Sequence, residues 1–423
     1  MNKSETKRAR IGWAMYDFAN SPFPSLMITA FYPLYFKHVM AQGRSDGDLL
    51  WGSAVSLSMA VVFILSPLGG ALADISGGKK LFMQILTWMC AAATAALVLP
   101  GPGAVWAAFA LIVAANVGAE GALPFYNAYL PLLADRKSMG RLSGDAWALG
   151  YLSFPLALAC IYPLASGGLG PDNASKAGLV PLVVAAWILV FSIPTFVLLP
   201  SCRSGRSREK DKSVLSVAFS RLVLTIKNIR TNRALWGFLP SYFFFTNAVS
   251  AVITFTAIFA SDTLGFTLKE NLLLLLVMNI VAAPGAFVFG RAADRFGLVK
   301  MLFVCLFLWL AVCAGAAMAD TKLFFWIVAF VASLILGATQ ALSRALMGKL
   351  SPGGRETEMF GFMTFAGKGS SILGPVTFGA VSTLFSSQRA AVLITGVFFL
   401  AGIVLLKRVN LNTETNSSGR GTR

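Results

Sequence analysis

Two charged residues of opposite sign, Glu120 and Lys368, lie deep inside apolar stretches that are long enough to cross a membrane. A charge at the middle of a bilayer costs about 2.5–3.5 kcal/mol on insertion scales, so such residues are functional candidates by default. Lys368 lies about ten residues into its stretch, near the midplane at a rise of 1.5 Å per residue. Thr364 and Ser371 share its helical face. Lys368 could bind a carboxylate or phosphate of a substrate; the alternative is a structural lysine paired with a carboxylate.

Glu120 shares a predicted helical face with Asn116 and Asn127. A carboxylate that is withdrawn from water can hold and release a proton, which is the chemistry of proton relays in membranes. Glu120 is therefore the candidate for proton coupling, and Asn127 is a candidate substrate ligand. The alternative for Glu120 is an ion pair with Lys368 or Arg344, and the two roles are compatible if protonation breaks the pair.

Asp17 and Asn20 lie about one turn apart in the first apolar stretch, just before Pro22 and Pro24. Proline frees backbone carbonyls and permits a bend, as in discontinuous membrane helices. Asn20 is a candidate substrate ligand, and Asn247 occupies a comparable place in the second half of the chain. Asp17 could bind a substrate, carry a proton, act in gating or pair with an arginine.

Arg344 lies about one turn inside the tenth apolar stretch, with Gln340 on the same helical face. Gln340 is a candidate substrate ligand. Arg344 is a candidate gating residue and a candidate partner of Asp17.

The two halves of the chain repeat a loop motif. GGALADISGGKK carries Asp74 and Lys79, and FGRAADRFGLVK carries Asp294 and Arg295. The glycines allow close helix contact, and each aspartate can accept backbone N–H groups at the start of a neighbouring helix or pair with a base from another loop. We predict that these four residues hold the halves together in one conformation. The alternative is a tight turn with a charged tip.

The composition excludes several classes of protein. Of the 423 residues, 57% are hydrophobic and 13% are charged, whereas soluble domains average roughly 25% charged. A soluble enzyme, a disordered chain and a collagen-like chain are therefore excluded. No P-loop sequence and no Ser-His-Asp arrangement is present, and the single histidine cannot build a histidine-rich metal site. We expect no enzyme activity, no cofactor and no metal site.

Twelve apolar spans of about 20–30 residues predict an all-α integral membrane protein, since a core of about 30 Å needs about 20 residues. They are 12–36, 49–73, 80–100, 104–133, 142–166, 178–200, 234–260, 269–293, 299–319, 322–348, 357–384 and 388–406.

These spans group into two pseudo-symmetric six-helix halves, 1–200 and 234–410. The loop 201–233 is a predicted cytoplasmic linker with an amphipathic helix or, alternatively, little order, and 411–423 is a predicted disordered tail. Most of the 35 Lys and Arg residues fall on one side of this layout, which predicts that both termini are cytoplasmic. The net charge of +17 then reflects this bias rather than nucleic-acid binding.

The twin loops resemble the signature loop of the major facilitator superfamily, and other segments resemble its vacuole effluxer family. The segments are GWAMYDFANSPF, PFYNAYLP, GRLSGDAWALGY, GATQALSRAL and FGFMTFAGKGSSILGP. The family's founding members are yeast vacuolar amino-acid exporters. The resemblance implies the major facilitator fold and a transport function.

The hypothesis is a secondary active transporter, working by alternating access, that moves a small zwitterionic or anionic solute, with amino acids as the family-derived substrate. The hypothesis includes coupling of transport to protons. It also places the protein in a bacterial inner membrane, in contact with membrane lipid, as a monomer. The alternatives are transport of a metal complex or another metabolite in a specialised bacterial membrane, and a non-transporting scaffold or sensor on the same fold.

Overall fold

The structure, a computed structural model, describes residues 3–201, 217, 220, 222–225 and 232–409. These residues form helices and connecting turns, with no strand among them. Twelve of the helices have 18 residues or more and are labelled in chain order. They are α1 (Lys3–Asn20), α2 (Gly47–Ser76), α3 (Lys79–Ala96), α4 (Val105–Asn127), α5 (Met139–Ala165), α6 (Val180–Leu198), α7 (Arg233–Leu264), α8 (Leu268–Phe296), α9 (Leu298–Ala317), α10 (Lys322–Leu350), α11 (Glu356–Leu384) and α12 (Gln388–Leu406).

Nine of the described helices are long and apolar enough to cross a membrane by length and composition. The other three, α1, α3 and α11, are less apolar along a stretch of membrane-spanning length: α1 begins with a basic segment, α3 begins with two lysines, and α11 contains Glu356, Glu358 and Lys368. The arrangement is consistent with the twelve predicted spans. The predicted linker and tail lie mostly or wholly outside the described residues, so the amphipathic helix stays a prediction.

The first span differs from its prediction at both ends. The helix begins at Lys3 rather than near residue 12, and its Arg10 donates a hydrogen bond to the Leu133 carbonyl at 2.7 Å. After Asn20 the chain continues through wide π-helical turns at Phe23–Ala30 and Phe36–Met40. The break follows from the two prolines at 22 and 24, which lack the N–H groups that a regular α-helix needs.

Helices pack both within each half and between the halves. Within the first half, α3 packs on α4, and α1 packs on α5 and α6. Within the second half, α7 packs on α11 and α12, and α8 packs on α10. Between the halves, α5 packs on α8 and α10, and α11 packs on α2 and α4. The contacts are therefore pseudo-symmetric: the second helix of each half contacts the fifth helix of the other half.

Glycines allow the close approach of these helix pairs. A Cβ on Gly140 would lie 2.6 Å from the Gly290 carbonyl oxygen, and a Cβ on Gly290 would lie 2.5 Å from the Gly140 carbonyl oxygen. At the other helix pair, a Cβ on Gly70 would lie 2.5 Å from the Thr357 carbonyl oxygen. Larger side chains at these positions would push the halves apart, because the obstructing atoms are backbone atoms that cannot rotate away.

The buried clusters show which end of the bundle is closed. The largest cluster contains residues of both halves, among them Trp13, Tyr126, Leu342 and Phe360. It lies toward the end where the Asp74 and Asp294 loops are found, which we call the motif end. Toward the opposite end there are separate clusters, one in the first half around Phe23 to Ile188 and one in the second half around Phe259 and Phe325. One large cluster thus spans both halves at the motif end, whereas toward the opposite end each half also has a cluster of its own.

Candidate functional site

A polar cavity of about 590 Å³ lies between the halves, on the far side of the joined region from the motif end. In the first half its lining comes from α1, the π-helical segment Phe23–Ala30, α2, α4 and α5. In the second half it comes from α7, α8, α10 and α11. The predicted site residues that line it are Asp17, Asn20, Glu120, Asn127, Gln340, Arg344 and Lys368. Residues that are far apart in the sequence therefore line one cavity. Its volume is large enough for a small solute.

Lys368 and Glu120 form an ion pair across the cavity. Lys368 Nζ lies 2.8 Å from Glu120 Oε2, and the side chains are 21% and 15% exposed. Lys368 belongs to α11 and Glu120 to α4, so the pair joins the two halves. Each charge is thus neutralised by the other while both remain accessible from the cavity. The sequence left Lys368 and Arg344 as possible partners of Glu120, and in the structure Lys368 is the one that pairs with it.

Asp17 and Arg344 form a second ion pair between the halves. Arg344 Nη1 donates to Asp17 Oδ2 at 2.7 Å, and both residues are buried. The guanidinium also donates to the Ser143 hydroxyl at 2.9 Å and to the Ser143 carbonyl at 2.8 Å. It lies 4.7 Å from the ring centroid of Trp13 and 5.3 Å from that of Trp147. This pair forms the closed floor of the cavity, and the sequence-based pairing of Asp17 with Arg344 agrees with it.

One predicted substrate ligand, Asn247, lies outside the cavity, as do the four predicted residues of the loop motifs. Asn247 is fully buried between α7 and α11, where its side-chain NH2 donates to the Ser370 carbonyl at 3.2 Å; it does not line the cavity. The α7 residues Thr246 and Ser250 line the cavity instead, because one residue along a helix rotates the side chain by about 100°. Arg295 is exposed at the motif end, with its guanidinium 5.3 Å from the Phe296 ring centroid.

The first loop motif holds the start of α11. Asp74 Oδ2 accepts a hydrogen bond from the Glu358 N–H at 2.8 Å, and Asp74 Oδ1 accepts one from the Thr357 N–H at 3.3 Å. Lys79 Nζ lies 3.1 Å from Asp74 and 2.6 Å from Glu356. A carboxylate at a helix N-terminus is stabilised by the unpaired N–H groups there. The contact joins α2 of the first half to α11 of the second.

The second loop motif repeats this contact with the halves exchanged. Asp294 on α8 accepts hydrogen bonds from the Gly140 N–H and the Arg141 N–H, both at 2.9 Å, at the start of α5. Arg291 adds an ion pair to Asp145 at 2.5 Å. Both aspartates therefore make the backbone contact that the sequence predicted, and the motif end is closed by two equivalent caps.

Three further features were not predicted from the sequence. Ser143 accepts a hydrogen bond from Arg344, and Glu356 forms an ion pair with Lys79. Trp147 lines the cavity, but its buried Nε1–H has no hydrogen-bond partner among the described residues. The E-x-E pair directly after a turn was the available signal for Glu356. The described residues contain no group of three or more His, Cys, Asp or Glu placed to hold a metal ion.

Removing the charge of Asp74 tests the motif-end contact. Asp74→Asn is expected to leave the protein inserted but to slow transport, because it weakens two charge-assisted contacts that stabilise one conformation. Asp294→Asn is expected to act similarly and less strongly. Initial transport rates in proteoliposomes, normalised to inserted protein, measure the effect. Asp48→Asn, which removes an exposed carboxylate paired with Lys37, is the control; wild-type rates in both motif variants would show that these loops are only turns.

A family model described as "Vacuole effluxer Atg22 like" matches residues 50–418 of the chain. The chain belongs to this family. It is therefore a transporter of the major facilitator superfamily and an integral membrane protein, not an enzyme. The resemblance predicted from the sequence is confirmed.

Relatives agree with this assignment. The "Uncharacterized MFS-type transporter YxiO" of Bacillus subtilis (strain 168) is 32% identical over 99% of this chain and 98% of that protein. "Autophagy-related protein 22" of Coccidioides immitis (strain RS) is 23% identical over 64% of this chain and 48% of that protein. The chain spans about half the length of that fungal relative.

Solved structures confirm the major facilitator fold. The proton:xylose symporter XylE superposes with a TM-score of 0.72 at 15% identity, covering 96% of this chain and 95% of that chain. The human organic anion transporter MFSD10 (TETRAN) gives a TM-score of 0.72 at 15% identity, covering 95% and 98%. At these identities the likeness concerns the fold alone.

Proposed function

We propose that this vacuole effluxer-like transporter is a secondary active carrier of a small zwitterionic or anionic solute, with amino acids as its substrates. The observation that supports this most is the Lys368–Glu120 pair, which joins the halves at 2.8 Å inside the cavity. Opposite charges that both face the cavity suit a solute carrying an acidic group, or an acidic and a basic group together. The amino-acid assignment follows the founding members of the family.

The acidic group of the substrate exchanges with Glu120 as the partner of Lys368. An ammonium deep in the membrane without a partner is costly, so Lys368 needs a counter-charge in the empty and in the loaded carrier. Asn20, Asn127 and Gln340 line the cavity and supply further hydrogen bonds. Because the exchange breaks a contact between the halves, the substrate interacts differently with the two conformations.

Alternating access follows from the two caps at the motif end. In the described conformation Asp74 and Asp294 close that end, and the cavity lies beyond the Asp17–Arg344 pair. We propose that the halves 1–200 and 234–410 rock as units, so that the two caps and the floor pair break when the motif end opens. Lys79 and Arg344 are the basic partners whose contacts must then break. Arg295, which is exposed at the motif end, contributes less to this gating than they do.

The motif end is proposed to face the cytoplasm of a bacterial cell, with the protein in the inner membrane as a monomer. Both termini, the linker 201–233 and the tail 411–423 then lie inside, as the distribution of basic residues predicts. An impermeant thiol reagent added to intact cells is expected to label a cysteine introduced at Asp172 but not one introduced at Arg206. The reverse labelling pattern would contradict this orientation.

Glu120→Gln tests proton coupling and the transport class together. The glutamine keeps the shape and hydrogen bonding of the side chain but cannot titrate, so accumulation of substrate driven by a pH gradient is expected to be lost while exchange down a gradient survives. Proteoliposomes with and without an imposed pH gradient measure both activities.

Glu270→Gln is the matched control, since Glu270 also pairs with a lysine, Lys322, at 2.8 Å but lies outside the cavity. It is expected to accumulate substrate as the wild type does. Retained pH-driven accumulation in Glu120→Gln would move the coupling role to Asp17 or to another ion. Absence of any solute movement by the wild type would favour the scaffold or sensor alternative.

A further inference from the structure

A second crevice, of about 400 Å³, opens between α1 and α5 near the motif end. Both helices belong to the first half, and both run away from the motif end into the bundle. The crevice is separate from the polar cavity, because the two share none of their lining residues. The transport mechanism described above makes no use of it.

The rim of this crevice is cationic. Lys7 and Arg10 of α1 face Arg141 of α5, and Lys7 and Arg141 are exposed. Among the described residues, the only carboxylate that lines the crevice is Asp145, which is already paired with Arg291 of α8 at 2.5 Å and lies 4.0 Å from Arg141. The crevice is therefore lined by three positive charges and one carboxylate, and Arg291, which lies outside the crevice, already neutralises that carboxylate.

The depth of the crevice is apolar. Ile11 and Met15 of α1 and Leu149 of α5 line it, and Ile11 is 53% exposed. Met15 lies eight positions beyond Lys7, and Leu149 lies eight positions beyond Arg141, a distance of about 12 Å at 1.5 Å per residue. On both walls, cations at the motif end thus give way to apolar side chains over the same length of helix.

We propose that this crevice binds an anionic phospholipid. The phosphate group lies between Lys7, Arg10 and Arg141, and an acyl chain lies along Ile11, Met15 and Leu149. A soluble anion would use only the cationic rim, and a neutral lipid would use only the apolar wall, whereas the matched order of charge and apolarity fits both parts of one anionic lipid. The site lies beside the closed motif end, because the backbone N–H of Arg141 also caps Asp294.

The test compares three probes on the purified, detergent-solubilised full chain. Short-chain phosphatidylglycerol is expected to raise the melting temperature of the protein in a dose-dependent way that reflects filling of a specific site, since a bound ligand stabilises the folded state. Short-chain phosphatidylcholine and inorganic phosphate at matched concentrations are expected to leave it unchanged. Equal protection by inorganic phosphate, or equal protection by phosphatidylcholine, would overturn the proposal.

Lys7→Gln/Arg141→Gln is expected to weaken the apparent affinity for phosphatidylglycerol about tenfold or more, since each basic residue near an anionic lipid surface contributes appreciably. The control Lys300→Gln/Lys407→Gln removes the same charge from exposed positions outside the crevice and is expected to bind as the wild type does. Lys7→Arg/Arg141→Lys keeps the charge and is expected to retain binding. Wild-type affinity in Lys7→Gln/Arg141→Gln, or equal loss in the control, would contradict the site.

Discussion

Arg344→Met is expected to lower the free energy of unfolding by about 3–5 kcal/mol, the cost of leaving a buried charge without its partner. Arg344 is 3% exposed and Asp17 is 7% exposed, so water replaces little of the lost contact. The substitution also leaves the Ser143 hydroxyl and carbonyl without their guanidinium donor. Unfolding of the purified protein in a denaturing detergent measures the loss.

The double variant Arg344→Met/Asp17→Asn is expected to recover much of this stability, because neither charge is then left unpaired. Arg389→Met is the matched control: Arg389 also lies 2.7 Å from an aspartate, Asp320, but the aspartate side chain is 80% exposed. An exposed pair contributes about 0–1 kcal/mol. Equal stability of Arg344→Met and Arg389→Met would show that the floor pair does not hold the halves together.

Lys368→Met is expected to weaken substrate binding about 10–100-fold, which corresponds to the roughly 1.5–3 kcal/mol of a hydrogen bond to a charged group. Methionine keeps much of the length of lysine and removes the charge. Lys368→Arg is expected to be poorly tolerated, because a planar guanidinium does not reproduce the compact ammonium that pairs with Glu120 at 2.8 Å. Substrate-dependent thermal stabilisation of the purified protein measures the affinity.

The control for this variant is Lys322→Met, which removes a lysine paired with Glu270 outside the cavity. It is expected to bind substrate as the wild type does. If Lys368→Met is folded and keeps wild-type affinity, Lys368 is structural, and the substrate ligands are then to be sought around Asn20, Asn127 and Gln340.

The sequence predicted the features that depend on one helix or on a repeat. The twin aspartates, the break after Asn20 and the depth of Glu120 and Lys368 all follow from residue type and position along a span. For Asp74 and Asp294 the sequence left a neighbouring helix start, a base from another loop and a plain turn open, and in the structure both aspartates accept backbone N–H groups at a helix start.

The sequence named Arg344 as a partner of Asp17 across the halves, but it did not decide between the other possible partners. Glu120 had two basic candidates, and only the rotation of α4 against α11 decides in favour of Lys368. The orientation of α7 about its own axis likewise places Asn247 at the α7–α11 contact and Thr246 at the cavity. Ser143 carries no signal in the sequence, since a serine in a membrane helix commonly bonds to its own backbone.

The central claim, that the cavity loads an amino acid at Lys368, is tested most directly by counterflow. Proteoliposomes are loaded with a mixture of unlabelled amino acids, and the entry of each labelled amino acid is followed. We predict that the wild type and Lys322→Met exchange at least one of them and that Lys368→Met, inserted to the same level, exchanges it far more slowly at low external concentration. No exchange of any amino acid by the wild type, or undiminished exchange by Lys368→Met, would contradict the account.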